Sequence, residues 1–145
     1  MRYLGLDVGS KTIGLAVGDA DSAVATPLST LERHGGARDI EAVRTAAAEA
    51  GADALVLGLP LTMEGSEGLM ARRVRRFGDA LAAALELPVH YADERFSTVA
   101  AERALLEADV SRARRKQVVD HVAATLILQT FLDAARAAAA ARGQP

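Results

Sequence analysis

The sequence predicts one α/β domain, residues 1–145, built on a mixed five-stranded sheet that is flanked by helices. Three apolar runs separated by short polar turns open the chain, which predicts an antiparallel meander of three strands. The rest of the chain alternates helix, strand, helix, strand, helix, so two parallel strands should complete the same sheet. At 145 residues the chain is long enough to bury a core of its own.

The meander is predicted from three segments near the N-terminus. Residues 3–8 and 13–17 are rich in Leu, Ile and Val, and they predict two strands joined by a tight turn. Residues 23–31 predict the third strand, which contains Pro27. Because proline cannot donate a ladder hydrogen bond, this strand should end there or lie at an edge of the sheet.

The next two elements are a helix and a buried strand. Apolar residues recur at helical spacing over 39–50, and Gly51 follows, which predicts a helix that ends there. Residues 53–59 are almost wholly apolar, which is typical of a strand covered on both faces.

A glycine-punctuated loop over 60–68 then leads to a predicted helix from Leu69 to Leu85 and a fifth strand over 88–92. Ser97 or Thr98 can cap a further helix over 100–108.

The C-terminal part is predicted to be a basic connector, Arg112 to Lys116, followed by a last helix over 118–140. Residues 137–141 extend that helix by alanine propensity alone, so residues 137–145 are expected to fray.

Composition excludes several classes of protein. The chain has no cysteine, which excludes a disulfide framework, a thiolate zinc site and a cysteine nucleophile, and is compatible with a reducing compartment. It shows neither a signal-peptide pattern nor an uninterrupted apolar run of membrane length, so we expect a cytoplasmic protein without a membrane partner. With 3% aromatic residues and no tryptophan, a base-stacking platform is not expected.

Asp7 interrupts the first apolar strand. A carboxylate in that position loses hydration, and the cost is several kcal/mol unless a cation or hydrogen-bond donors meet it. A divalent metal ion could do so, since Mg²⁺ prefers carboxylate oxygens. The turn amides of Gly9 to Lys11 are the alternative partners.

Further carboxylates lie where two other elements could bring them to Asp7. Asp93 and Glu94 come where the fifth strand ends, and helical spacing places Asp120 in line with Ala124 on the packed face of the last helix. Parallel strands end at the same edge of a sheet, so these acids can converge there. One or two divalent cations would relieve their repulsion, an arrangement that suits metal-assisted phosphodiester hydrolysis.

Four motifs closely resemble those of the YqgF/RuvX family, in the same order and spacing over nearly the whole chain. They are residues 7–16 (DVGSKTIGLA), 58–61 (GLPL) with Gly65, 93–98 (DERFST) and 116–120 (KQVVD). The resemblance implies an RNase H-like fold and a nuclease. Members are described as enzymes that mature the 5′ end of 16S ribosomal RNA precursors, or as Holliday junction resolvases.

The resemblance also implies that Asp7, Glu94 and Asp120 are the catalytic triad and ligate Mg²⁺ or Mn²⁺, with Asp93 as a candidate fourth ligand. The more distant RuvC resolvases place two acids one helical turn apart on the last helix. Here the second position is Ala123. A phosphate oxygen, Asp93 or water would therefore have to complete the metal coordination.

Basic residues are candidates for holding substrate phosphates, although solvated helix faces would look the same in sequence. The candidates are Lys11, Arg95, Arg72, Arg73, Arg76, Arg114, Arg115 and Lys116. The loop over 59–68 leaves the same sheet edge as the acids, which favours either a substrate-positioning loop or an irregular surface.

The expected partner is a nucleic acid, either structured RNA or branched DNA. Symmetric cleavage of a four-way junction needs two active sites and hence a dimer, for which the sequence holds no strong signal. This favours RNA processing and leaves monomer and homodimer open.

Two other classes remain open. Residues 7–14 also resemble the first phosphate loop of actin-like ATPases and sugar kinases, but those proteins enclose ATP between two such domains and this chain has one. A non-catalytic nucleic-acid-binding or transcription-associated protein of the same fold would bind without cleaving.

Overall fold

The computed structural model describes residues 1–61, 64–94 and 112–143, and side chains throughout except at 112–121. The strands are β1 (Arg2–Val8), β2 (Thr12–Asp19), β3 (Ala25–Glu32), β4 (Ala54–Leu59) and β5 (Val89–Asp93). The helices of the described part are α1 (Gly36–Ala50), α2 (Leu69–Leu85) and α3 (Arg112–Ala141).

The five strands form one mixed sheet in the order β3-β2-β1-β4-β5. β1 pairs antiparallel with β2, and β2 pairs antiparallel with β3, which gives the meander. β4 joins β1 in parallel, and β5 joins β4 in parallel. The predicted fold class is therefore confirmed, with β3 at an edge of the sheet as Pro27 indicated.

Each face of the sheet has its own hydrophobic core. Helices α1 and α2 contribute to the core on one face, and α3 packs on the other. On the first face the buried side chains include Leu4, Leu6, Ile13, Leu15, Leu55, Leu57 and Leu59 from the sheet with Val43, Val74 and Leu81 from the helices. On the second face they include Ala16, Val56 and Ala92 with Ala123, Ala124, Ile127 and Leu128. Every residue of β4 is buried, as its apolar sequence predicted.

Glycines in the sheet let α3 lie close to it. A methyl group built on Gly5 would lie 2.8 Å from Cβ of Leu128, and one on Gly18 would lie 2.9 Å from Cδ1 of Leu132. Real Cβ contacts are essentially never that short, so a side chain at Gly5 would force α3 away from the sheet, whereas one at Gly18 would displace the ends of the Leu132 and Leu128 side chains.

The last helix begins earlier than predicted. α3 starts at Arg112, so the predicted basic connector is wrong and this segment forms the first turns of the helix. Arg and Lys are good helix formers, and no Gly or Pro separates them from Val118. At the other end α3 continues to Ala141, so residues 137–141 are helical.

The other boundaries differ less from prediction. α2 has its predicted bounds, and α1 begins three residues earlier than predicted and ends before Gly51, whose left-handed φ of 66° closes it. The predicted helix over 100–108 lies outside the described residues.

One stretch of α3, Val122–Ala141, is long and apolar enough to cross a membrane by length and composition, with a mean hydropathy of 1.3 and 28% of it buried. Asp133 and Arg136 interrupt it. Its buried side chains, such as Ile127 and Leu128, pack against the sheet, which accounts for the apolar character of that face.

Candidate active site

The carboxyl ends of β1, β4 and β5 lie side by side because these three strands run parallel. We call this end of the sheet the carboxyl edge; it is formed by Val8, Leu59 and Asp93 together with the residues that follow them. Ligand sites of open α/β sheets form outside such an edge.

Asp7 lies on the α3 face of β1 at the carboxyl edge. Leu4 and Leu6 pack in the core beneath α1 and α2, whereas Gly5 lies under α3. Since successive side chains of a strand alternate between faces, Asp7 lies on the same face as Gly5. Its side chain is half-buried.

Glu94 reaches the same place from β5. Its backbone amide donates to the Leu59 carbonyl at 3.2 Å, which fixes the chain just beyond the strand. Its carboxyl group lies against Gly58, since a methyl group built on that glycine would be 3.1 Å from Cδ of Glu94. Gly58 is on the α3 face, because the same methyl group would also contact Ile127.

The strand register connects the two acids. Leu6 pairs with Leu57, so the next position along each strand sets Asp7 beside Gly58. Neighbouring strands lie about 4.8 Å apart, so Asp7 and the Glu94 carboxyl flank Gly58 at short range. Both carboxylates therefore lie on one face of the sheet, over the one residue that has no side chain to fill the space between them.

Asp93 lies on the face of the sheet opposite to that of Asp7 and Glu94. Val89 and Tyr91 pack on the core beneath α1 and α2. Alternation along β5 puts Asp93 on that same face, and its side chain is exposed. Of the two adjacent acids, the register thus brings Glu94 to the face of Asp7.

Asp120 belongs to α3, and its side chain lies outside the described part of the chain. The contacts of the helix show its direction: Leu132 lies over Gly18, and Leu128 and Ala124 lie over Gly5. Toward the carboxyl edge, α3 therefore runs to lower residue numbers. Among the side chains that the structure describes, no three His, Cys, Asp or Glu residues cluster as a metal site would.

Ala123, which stands one helical turn after Asp120, is buried in the core beneath α3. His90 packs edge-to-face against Tyr3 and at a tilt against Phe131, with ring centroids 6.2 Å and 5.2 Å away, so its role there is packing.

The turn between β1 and β2 presents Lys11 to solvent. Its shape is held by the Gly9 amide, which donates to the Thr12 carbonyl at 2.9 Å. Arg33, which follows β3, donates from Nη1 to the Gly9 carbonyl at 2.8 Å and from its backbone amide to the Lys11 carbonyl at 2.9 Å. Sequence reasoning missed this residue.

Asp39 anchors Arg33 and was also missed. It lies in the first turn of α1 with only 2% of its surface exposed, and its Oδ2 accepts from Nε of Arg33 at 3.1 Å. Burial works to raise the pKa of Asp39, but hydrogen bonds from the amides of His34 and Gly35 and from Arg33 outweigh it and hold that pKa below its usual range. The sequence signal that could have revealed this pair is the position of Asp39, three residues after Gly36 and six after Arg33.

Helix α2 carries a basic surface at its N-terminal end. Arg72, Arg73 and Arg76 are exposed. Arg75 is exposed as well, but it forms an ion pair with Glu67 and stacks on the Tyr91 ring at 4.7 Å from the centroid, so it ties the preceding loop to the sheet. Burial raises the pKa of the Tyr91 hydroxyl, and the charge of Asp79 adds to that rise.

Several predicted contacts fall outside the described part of the chain. Arg95 belongs to this group, as do Thr62 and Met63 of the loop over 59–68. Arg114, Arg115 and Lys116 lie in the helical backbone of α3, and their side chains are likewise not described.

A cleft of about 340 Å³ lies between α1 and strands β2 and β3, lined mainly by apolar atoms. Its lining includes Val17, Leu28 and Ala46 and none of the candidate acids. The site at the carboxyl edge is thus separate from it.

Comparison with known proteins assigns the chain to a family. Residues 1–134 match the family model described as "RuvX: Holliday junction resolvase". The chain is 53% identical over 136 residues to a protein of Myxococcus xanthus, covering 94% of this chain and 90% of that one. It is 52% identical over 133 residues to a protein of Moorella thermoacetica, covering 92% and 95%. Both relatives are named "Putative pre-16S rRNA nuclease".

Solved structures share the fold at low sequence identity. RuvC of Thermus thermophilus in complex with a Holliday junction substrate aligns with a TM-score of 0.57 at 14% identity, over 94% of this chain and 96% of that one. The Holliday junction resolvase of fowlpox virus aligns with a TM-score of 0.56 at 11% identity, over 92% and 99%. The family consists of nucleases, which hydrolyse phosphodiester bonds, and the fold is that of RNase H. The chain therefore belongs to the RuvX family of RNase H-like nucleases.

Proposed function

We propose that this chain is a divalent-metal-dependent nuclease that takes part in maturing the 5′ end of 16S ribosomal RNA. The observation that carries the proposal is the pair of carboxylates, Asp7 and Glu94, on one face of the sheet beside Gly58. The names of relatives that are more than 50% identical support precursor 16S RNA as the substrate. This substrate implies a cytoplasmic site of action.

The donor set fits Mg²⁺ or Mn²⁺. Carboxylate oxygens are the ligands that these hard cations prefer, and a cation between two half-buried acids that lie side by side would offset their mutual repulsion. We assign the metal-ligating role to Asp7, Glu94 and Asp120. Asp93 is left out because strand alternation turns it to the opposite face. When bound, the metal would activate the attacking water and stabilise the charge that develops on the phosphate.

Residues of the chain would hold and orient the substrate. Lys11, exposed in the turn next to Asp7, is suited to contact a phosphate near the scissile bond. Helix α2 begins at the same edge of the sheet and exposes Arg72, Arg73 and Arg76. These arginines would hold the substrate's phosphate backbone farther from the scissile bond. We assign the same role to Arg95 and to the basic start of α3, namely Arg114, Arg115 and Lys116.

Holliday junction DNA is the second candidate substrate. The description of the matching family model favours it, and the fold is shared with resolvases that bind such junctions. A resolvase would have to present two active sites, hence a dimer.

The test is cleavage of end-labelled precursor 16S RNA and of a four-way DNA junction, in parallel, with Mn²⁺ or with EDTA. Asp7→Asn is the active-site variant. Asp21→Asn, an exposed acid in the turn at the opposite end of the sheet, is the control. We expect the wild type and the Asp21 variant to cleave RNA with Mn²⁺ only, and the Asp7 variant to cleave neither substrate.

Cleavage of the junction alone would replace RNA by branched DNA in the proposal. Binding of both substrates without metal-dependent cleavage would overturn it and support a non-catalytic nucleic-acid-binding protein.

A further inference from the structure

Arg33 joins four parts of the molecule although it lies in none of the motifs. It follows the last residue of β3, and 27% of its side chain is exposed. Its guanidinium contacts the β1–β2 turn, the first turn of α1 and the ring of Phe77 on α2.

The contacts are specific in geometry. Nε donates to Oδ2 of Asp39 at 3.1 Å while Nη1 donates to the Gly9 carbonyl at 2.8 Å. The guanidinium carbon lies 5.1 Å from the centroid of the Phe77 ring, which is a cation–π distance. Asp39 in turn accepts from the amides of His34 and Gly35 at 2.8 Å and 3.1 Å, so the carboxylate that orients Arg33 is itself fixed.

Both anchored carbonyls belong to the turn beside the proposed site. Gly9 comes two residues after Asp7, and Lys11 carries the proposed phosphate contact. Arg33 holds the Gly9 carbonyl with its side chain and the Lys11 carbonyl with its backbone amide. Phe77 adds a link to α2, the helix that bears Arg72, Arg73 and Arg76.

We propose that Arg33 is a positioning residue, which fixes the β1–β2 turn so that Asp7 and Lys11 are held in register with the arginines of α2. The proposal rests on the proposed nuclease function. It assigns Arg33 no contact with the substrate or the metal. Outer groups that orient ligands influence metal affinity and activity through the ligands they hold.

An arginine is required by this geometry. Its planar guanidinium donates in two directions at once while its face rests on an aromatic ring, whereas a lysine offers a single charged centre. Arg33→Lys should therefore lose the positioning of the turn nearly as completely as Arg33→Gln.

The chain contains a matched control for the loss of such contacts. Arg44 also donates from Nε to a carboxylate, that of Glu41 at 3.2 Å, and from Nη2 to a backbone carbonyl, that of Ala84 at 3.0 Å. These contacts tie α1 to α2 far from the carboxyl edge. Val43→Ala, a core change in α1, controls for loss of stability alone.

The experiment compares wild type, Arg33→Gln, Arg33→Lys, Arg44→Gln and Val43→Ala at a temperature at which circular dichroism shows each to be folded. Hydrogen exchange of the Gly9 amide, Mn²⁺ affinity, kcat and KM are measured. For both Arg33 variants we expect exchange at least about tenfold faster. We also expect Mn²⁺ affinity about tenfold lower and kcat about 10- to 100-fold lower, with KM little changed. The two controls should match wild type.

Unchanged Gly9 exchange in Arg33→Gln would overturn the anchoring of the turn. Faster exchange with wild-type Mn²⁺ affinity and kcat would overturn the positioning role. If Val43→Ala, contrary to expectation, lost as much activity as Arg33→Gln, Arg33 would likewise be reduced to a structural residue. If wild type cleaves neither substrate, the proposed function fails, whereas exchange and Mn²⁺ affinity still decide the role of Arg33.

Discussion

Gly58 leaves the space in which the Glu94 carboxyl lies. A methyl group at this position would be 2.5 Å from Cδ1 of Ile127 and 3.1 Å from Cδ of Glu94. The first contact would press on α3 and the second on the proposed metal ligand. The absence of a side chain at Gly58 thus leaves room for a proposed metal ligand.

Gly58→Ala should damage metal binding more than its effect on stability explains. We expect the free energy of unfolding to fall by about 1 to 3 kcal/mol from overpacking. Mn²⁺ affinity of the folded protein should fall by about tenfold or more, because the carboxyl of Glu94 is displaced. Urea unfolding and calorimetric titration with Mn²⁺ measure the two effects.

Gly18→Ala is the control for this change, since it crowds Leu132 and Leu128 of α3 at the far end of the sheet. It should lower stability by a similar amount and leave Mn²⁺ affinity at the wild-type level. Equal Mn²⁺ affinities in the two variants would contradict the role given to Gly58.

Asp39→Asn should make the molecule less stable in a pH-dependent way. Because the folded-state pKa of Asp39 is lowered, its stabilisation is complete above the unfolded-state pKa of about 3.9 and is lost as pH falls through the folded value. We expect the variant to lose about 2 to 4 kcal/mol at neutral pH. Urea unfolding should show this difference from wild type narrowing toward pH 3 and below, whereas a constant difference would contradict the assignment.

At the scale of residues, the sequence predicted only part of the site. It named Asp7, Asp93 and Glu94 as candidates, because carboxylates that interrupt apolar strands stand out. The pattern alone could not say which of the two adjacent acids faces α3, since that depends on strand register, which a one-residue shift reverses. The family resemblance was what placed Glu94 in the triad and Asp93 as a candidate fourth ligand. Sequence reasoning missed Arg33 and Asp39 because their pairing depends on how β3 meets α1.

At the scale of elements, the N-terminal end of α2 forms a basic surface next to the carboxyl edge. Arg75 is exposed but engaged by Glu67 and Tyr91, so on this helix Arg72, Arg73 and Arg76 are the exposed arginines best able to contact a nucleic acid. The same helix is linked to the β1–β2 turn through Phe77.

Replacing Arg72, Arg73 and Arg76 together by Ala should weaken RNA binding and make it less dependent on salt. Each phosphate contact contributes about 0.7 to 0.9 to the slope of log affinity against log salt, so the slope should fall by about 2 to 3. Fluorescence anisotropy at several salt concentrations measures it. The matching change of Arg2, Arg136 and Arg142, exposed at the other end of the molecule, should leave the slope unchanged.

An unchanged slope in the α2 variant would remove this helix from the binding surface.

The sequence was most reliable at the scale of elements, since the length and spacing of apolar runs identified the five strands, α1 and α2. The predicted start of α3 was wrong because a run of charged residues with good helix propensity has the same sequence pattern in a helix as in a solvated connector.

At the scale of the whole molecule, the order β3-β2-β1-β4-β5 brings the ends of β1 and β5 to one edge with only β4 between them. β4 is wholly buried and carries the small residue Gly58 where the two acids meet. Helices α1 and α2 cover one face and α3 the other, so each proposed ligand is supported by a packed element.

The central claim is that the α3 face of the carboxyl edge is the catalytic face. The adjacent acids Glu94 and Asp93 test it most directly, since they differ in face and hardly at all in position along the chain. We expect Glu94→Gln to lower Mn²⁺-dependent cleavage by at least about a hundredfold. Asp93→Asn should cleave at close to the wild-type rate. Wild-type cleavage by Glu94→Gln, or an equal loss in Asp93→Asn, would contradict the account.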